Sequence, residues 1–144
     1  MMLLYIPFLI QILVIGFDEF YFHWKRGLPR WERIGHPLDT LTIIAVFGYT
    51  LIFPFSAKAL TLYIILATCS AIFVTKDEFV HKECCPAKEQ WLHALLFLNH
   101  PLVLIATAFL WSKGETLFLG TQIVAASLFC FYQLIYWNFI WKKQ

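Results

Sequence analysis

Five apolar runs, each close to the ~20 residues that an α-helix needs to cross a bilayer, occupy almost the whole chain at roughly 1–17, 38–55, 57–75, 91–111 and 117–141. With 60% hydrophobic and only 14% charged residues in 144, the chain lies outside the range of soluble globular domains. The runs predict an all-α polytopic membrane protein of five transmembrane helices, a single domain over 1–144. Little sequence is left for a soluble domain, so any chemistry must take place within or at the edge of the bilayer. The lipid bilayer is then the first partner, and no nucleic acid is expected.

The first run lacks the basic n-region and small-x-small site of a cleaved signal peptide, and it continues into the segment from Asp18 to Trp24, so it reads as a retained helix. Basic residues set the expected orientation. One side collects Lys25, Arg26, Arg30, Arg33, Lys76, Lys82, Lys88, Lys142 and Lys143, whereas the other has Lys58 and Lys113. By the positive-inside rule the C-terminus and the loops at 25–35 and 82–90 are cytoplasmic and the N-terminus is outside.

The polar residues repeat. Asp18, Glu19 and His23 are followed, after a basic loop, by Glu32 and His36; Asp77, Glu78 and His81 are followed in the same way by Glu89 and His93. Eight of the nine acids and four of the five histidines lie in or beside these clusters. The pattern predicts two direct helix-pair repeats, about 1–55 and 56–111, with a fifth packing helix at about 117–141. Antiparallel helices bring the four clusters to one membrane face, around a pseudo-twofold axis along the membrane normal.

Residues four apart on an α-helix share a face, as Glu19/His23, Asp77/His81 and Glu89/His93 do. A carboxylate at the bilayer centre costs roughly 2.5–3.5 kcal/mol, and crowded like charges oppose one another's ionisation, so this many acids call for compensating cations. The expected ligands of two divalent metal ions are Glu19, His23, Glu32, His36, Asp77, Glu78, His81, Glu89 and His93, with Asp18, Asp39 and His100 as orienting partners or alternative ligands. Mixed nitrogen and oxygen donors favour iron and also admit zinc or manganese. A structural network of ion pairs to Arg26, Arg30 and Arg33 is the competing reading of the same charges.

Local signals place the helix ends. Gly27 and Pro29 end the first helix, Pro37 opens the second and Pro54 closes it, and Pro86 opens the fourth. With Pro37 as a first residue, Glu32 and His36 would not share a helical turn, and Asp39 could serve in place of Glu32. Trp24 and Trp31 suit headgroup depth. None of the four cysteines has ribbon or CxxC spacing. Cys84 and Cys85 are expected on the reducing side, where a disulfide is disfavoured, while Cys69 and Cys130 read as small apolar core residues.

In its general plan the chain resembles the ferritin-like di-iron carboxylate proteins in architecture only, since those use Glu-x-x-His at i, i+3. The membrane fatty-acid hydroxylases and desaturases have more histidines than this chain. Three functions remain open. One is a di-metal oxidoreductase, di-iron by preference, acting on a lipid or other hydrophobic substrate at the cytoplasmic leaflet; Tyr21, Trp24, Trp31 and Trp91 could carry stray oxidising equivalents, and an electron-donor protein would be required. Another is a di-zinc or di-manganese hydrolase of a lipid ester or phosphoester, with Arg26, Arg30 and Arg33 receiving the phosphate. The third is a protein that binds, senses or transports metal without turnover. A homo-oligomer is compatible with each.

Overall fold

The computed structural model describes residues 2–79, 82 and 85–141, and no strand occurs among them. His81, Cys84, Lys142 and Lys143 lie outside the described residues. Helix α1 runs over Ile6–Phe17 and continues through a π-helical segment, Asp18–His23, to Arg26. Helix α2 is Arg30–Ile52, and α3 is Ala57–Phe73 with a 3₁₀ turn at Val74–Asp77. Helix α4 is Ala87–Ser112, and α5 is Thr116–Ile135 with a π-helical segment at Tyr136–Ile140.

Among the described residues, four helical bodies are long and apolar enough to cross a membrane: Met2–Arg26, Ala57–Asp77, Ala87–Ser112 and Thr116–Ile140. Helix α2 is of similar length, but its first part carries Arg30, Glu32, Arg33, His36 and Asp39.

Most of the helix ends follow the chemistry of the chain. Gly27 takes φ 72°, ψ 161°, a conformation closed to residues with a Cβ, and the Trp141 ring packs where that Cβ would stand. Ser56 caps α3 by accepting from the Ala59 N–H at 3.2 Å, and Pro86 precedes α4.

The start of α2 differs from expectation. The helix begins at Arg30 after Pro29, and Pro37 lies inside it. Proline removes one helical hydrogen bond and crowds the carbonyl four residues back, yet the turn before it stays helical because it is packed. Gly35 faces α3 so closely that a Cβ would stand 3.1 Å from Asp77 Oδ1, and Lys76 Nζ is bound to Asp39 Oδ1 at 2.6 Å across the same contact. Glu32 and His36 therefore do share one helical face.

The bundle is divided by chemistry. Toward one end lies an apolar core that includes Phe8, Val46, Phe47, Tyr63, Leu110 and Trp111. Toward the other lie the buried acids and histidines. Helix α1 packs chiefly along α4, and α2 along α5 and α3, so the main contacts do not follow the two consecutive pairs of the sequence repeat. Polar rungs join the helices between the two ends: Asn99 donates to the Pro7 carbonyl and to Gln11 Oε1, and Ser70 contacts Thr42 at 2.8 Å and His100 at 3.1 Å. Such bonds are worth about 0.6–2 kcal/mol each in a bilayer.

Candidate metal centre

The centre is built on the π-helical turn of α1. There the Trp24 N–H reaches the Glu19 carbonyl five residues back, which widens the turn so that Asp18 and Glu19 both flank His23. Such insertions mark functional positions in many helices. His23 Nδ1 is 3.0 Å from Glu19 Oε2, and its Nε2 is 3.1 Å from Asp18 Oδ2. Helix α4 supplies the opposite wall: His93 Nε2 is 3.0 Å from the same Asp18 oxygen, and Glu89 Oε1 is 3.8 Å from His23 Nε2. One ligand atom from each of Asp18, His23, Glu89 and His93 lies within 4.8 Å of every other, and all four residues are buried. This group is close enough to bind a metal ion.

Its surroundings show the same focus. Glu19 is held from behind by α5, where Trp137 Nε1 donates to Glu19 Oε1 at 2.6 Å. In the tautomer that donates Nδ1–H to Glu19, the His23 Nε2 lone pair is left facing the group, the arrangement by which outer carboxylates orient metal-binding imidazoles. Asp18 Oδ1, His23 Nε2 and Glu89 Oε2 are buried without a hydrogen-bond partner. Asp18, Glu19, Glu32 and Glu89 are each at most 5% exposed, and Arg26 bonds to two of them, Glu32 at 2.8 Å and Glu89 at 2.7 Å. Crowded buried carboxylates of this kind are held only with compensating positive charge or hydrogen bonds. A divalent cation at the orphaned atoms fits the donor set.

A second focus adjoins the first. The His36 ring lies 4.9 Å from that of His23, and Glu19, His23 and His36 form another group of converging atoms. His36 Nε2 is also 3.9 Å from Asp77 Oδ2, where Lys76 pairs with Asp77 at 3.0 Å and with Asp39 at 2.6 Å.

The structure thus brings Asp18, Glu19, His23, Glu32, His36, Glu89 and His93 together, with Asp39 and Asp77 beside them. Asp18 stands among the converging atoms and Glu19 behind His23. Glu78 is exposed and does not join them. His100 lies deeper, on Ser70. Arg26 turns inward to Glu32 and Glu89, Arg33 donates to the Leu28 carbonyl and covers the Trp141 ring, and Arg30 is exposed. Two contributors from α5 are absent from the sequence reading: Trp137, and Gln133, which accepts from Thr40 at 3.0 Å. Trp137 is fully buried at the end of a helix long and apolar enough to cross a membrane, and its indole N–H needs an acceptor there; that need is the signal that could have found it.

A cavity of about 380 Å³ adjoins the centre, bordered by Asp18, His23, His36 and His93 at one end and by Phe8, Phe47 and Val103 at the other. Its walls away from the centre are mainly hydrocarbon and aromatic, with Gln11, Gln122 and His100 interspersed. No protein-family model, curated protein or solved structure matches the chain.

Proposed function

We propose that the chain is a membrane-embedded metal-dependent oxidoreductase acting on the hydrocarbon part of a lipid or similarly apolar substrate. The supporting observation is the apolar cavity that ends on Asp18, His23 and His93, three of the four residues of the buried group completed by Glu89. A substrate filling such a cavity presents C–H bonds to the centre. Its volume lies within the roughly 300–1,000 Å³ of small-molecule sites. Two imidazoles and two carboxylates suit iron, which would supply redox chemistry there when bound. Asp18, His23, Glu89 and His93 would hold it, Glu19 and Trp137 would fix the His23 ring, and the apolar wall would exclude water.

One ion at this group is the arrangement that the His23–Glu19 bond supports. A second ion has a place at Glu19, His23 and His36, and filling it requires His23 Nδ1 to exchange its bond with Glu19 for the ion. In this reading α2 also crosses the membrane, completing five spans with the centre near the cytoplasmic leaflet, and a donor protein supplies electrons. A hydrolase of lipid phosphoesters fits less well, because Arg26 is committed to Glu32 and Glu89.

The test loads purified protein in lipid vesicles with iron or zinc, adds dioxygen and a chemical reductant, and reads the lipids by mass spectrometry. Lipid carrying an added oxygen atom with iron alone supports the oxidoreductase. Free fatty acid or released headgroup with the zinc form supports the hydrolase, and unchanged lipid with both metals bound removes both enzymes.

A further inference from the structure

Helices α1 and α5 meet at both ends and part between. Near their starts Phe118 packs against Tyr5 and Phe8, with ring centroids 4.7 and 5.0 Å apart. Near their ends Phe20 contacts Tyr132, and the Trp24 indole donates to the Tyr132 hydroxyl at 3.0 Å. Phe8 and Phe20 are separated by about 18 Å of helix at 1.5 Å per residue. Within that interval the cavity is bordered by Ile12, Ile15 and Gly16 from α1 and by Gln122, Ala125 and Ala126 from α5. The cavity-lining residues that are exposed, Ile12, Phe20 and Ala125, all belong to these two helices.

Both helices are long and apolar enough to cross a membrane, so a gap between their middles opens onto lipid tails. Small residues keep it wide: nothing stands within 4 Å of the place a Gly16 Cβ would take, and Ala125 and Ala126 face it with single methyl groups. We infer that this gap is a lateral portal through which an alkyl chain of a bilayer lipid passes from the membrane into the cavity, its inner part reaching the Asp18, His23 and His93 end. The occupant follows from the surroundings: the walls are mainly apolar, the phase outside is hydrocarbon, and the cavity turns polar at the buried centre. This deepens the proposed function and rests on it for the reaction, though not for the binding of the chain.

The experiment uses the full chain in phosphatidylcholine vesicles containing a phospholipid with a photoreactive diazirine on its acyl chain, and maps labelled residues by mass spectrometry. Gly16→Phe fills the gap with a ring, and Ala125→Phe does so from the other helix. The wild type is expected to be labelled at the cavity residues Ile43, Phe97 and Val103 as well as at the lipid-facing Leu9 and Leu13. Each variant is expected to lose the cavity labels and keep the lipid-facing ones, with helicity and metal content unchanged. Absence of cavity labelling in the wild type, or its persistence in both folded variants, would overturn the portal. Cavity labelling that is blocked by both variants in a protein binding no metal would uphold the portal and remove the enzyme.

Discussion

His23 Nε2 lies 3.1 Å from Asp18 Oδ2, and yet this buried nitrogen has no hydrogen-bond partner. The contact is an ion pair when the ring is protonated, and it leaves two donor atoms facing a common centre when the ring is neutral. Asp18 Oδ2 is hydrogen-bonded to His93 Nε2, at 3.0 Å. Replacing Asp18→Asn keeps the shape and removes the charge. Metal affinity should fall by more than the about 10–100-fold that loss of an outer partner costs, with the circular dichroism spectrum unchanged; titration with a competing chelator measures it.

Trp137 acts one shell further out. Its N–H bond to Glu19 at 2.6 Å ties α5 to the turn that aims His23. Trp137→Phe keeps an aromatic ring and removes the donor, leaving Glu19 Oε1 buried. The expected cost is about 1.5–3 kcal/mol of stability, together with about a 10–100-fold drop in metal affinity. Thermal unfolding and chelator titration separate the two effects.

Arg26 is expected to matter for folding more than for substrate. Its guanidinium bridges Glu32 and Glu89, whose side chains are 0% and 1% exposed. Arg26→Ala takes the guanidinium from both carboxylates, and breaking such a buried arrangement costs about 3–5 kcal/mol. The guanidinium keeps 19% exposure, so the lower part of that range is expected, read as a lowered midpoint in thermal or denaturant unfolding. Added divalent metal should recover part of it by restoring positive charge.

Glu78 provides the contrast. It falls in the sequence repeat where a ligand is expected, yet it is exposed. Glu78→Gln should leave metal content and unfolding midpoint within error of the wild type, and a loss of metal on this substitution would return Glu78 to the centre.

Composition and run length were enough to read the helical, membrane-suited character of the chain, and Gly27, Ser56 and Pro86 sit at helix ends because backbone chemistry alone decides those positions. The convergence of Asp18, His23, Glu89 and His93 was legible from their crowding in an apolar chain. Their roles were not. An i, i+4 rule pairs Glu19 with His23, but the π turn brings Asp18 to the same ring, and that extra residue per turn has no sequence signature here. Local preference alone makes Pro37 a helix start, whereas packing of Gly35 against Lys76 and Asp77 carries the helix back to Arg30. Helix α5 has no charge to draw attention, so the bond from Trp137 to Glu19, made across 118 residues, was visible only in three dimensions.

The central claim is that the group formed by α1 and α4 holds a metal ion. Elemental analysis of protein purified without chelators, beside His93→Ala prepared in the same way, tests it most directly. Bound metal at one ion per chain is expected in the wild type, and none in a variant whose helicity is intact. A wild type free of metal after loading with iron, zinc and manganese in turn, or a His93→Ala variant that retains the full amount, would contradict it.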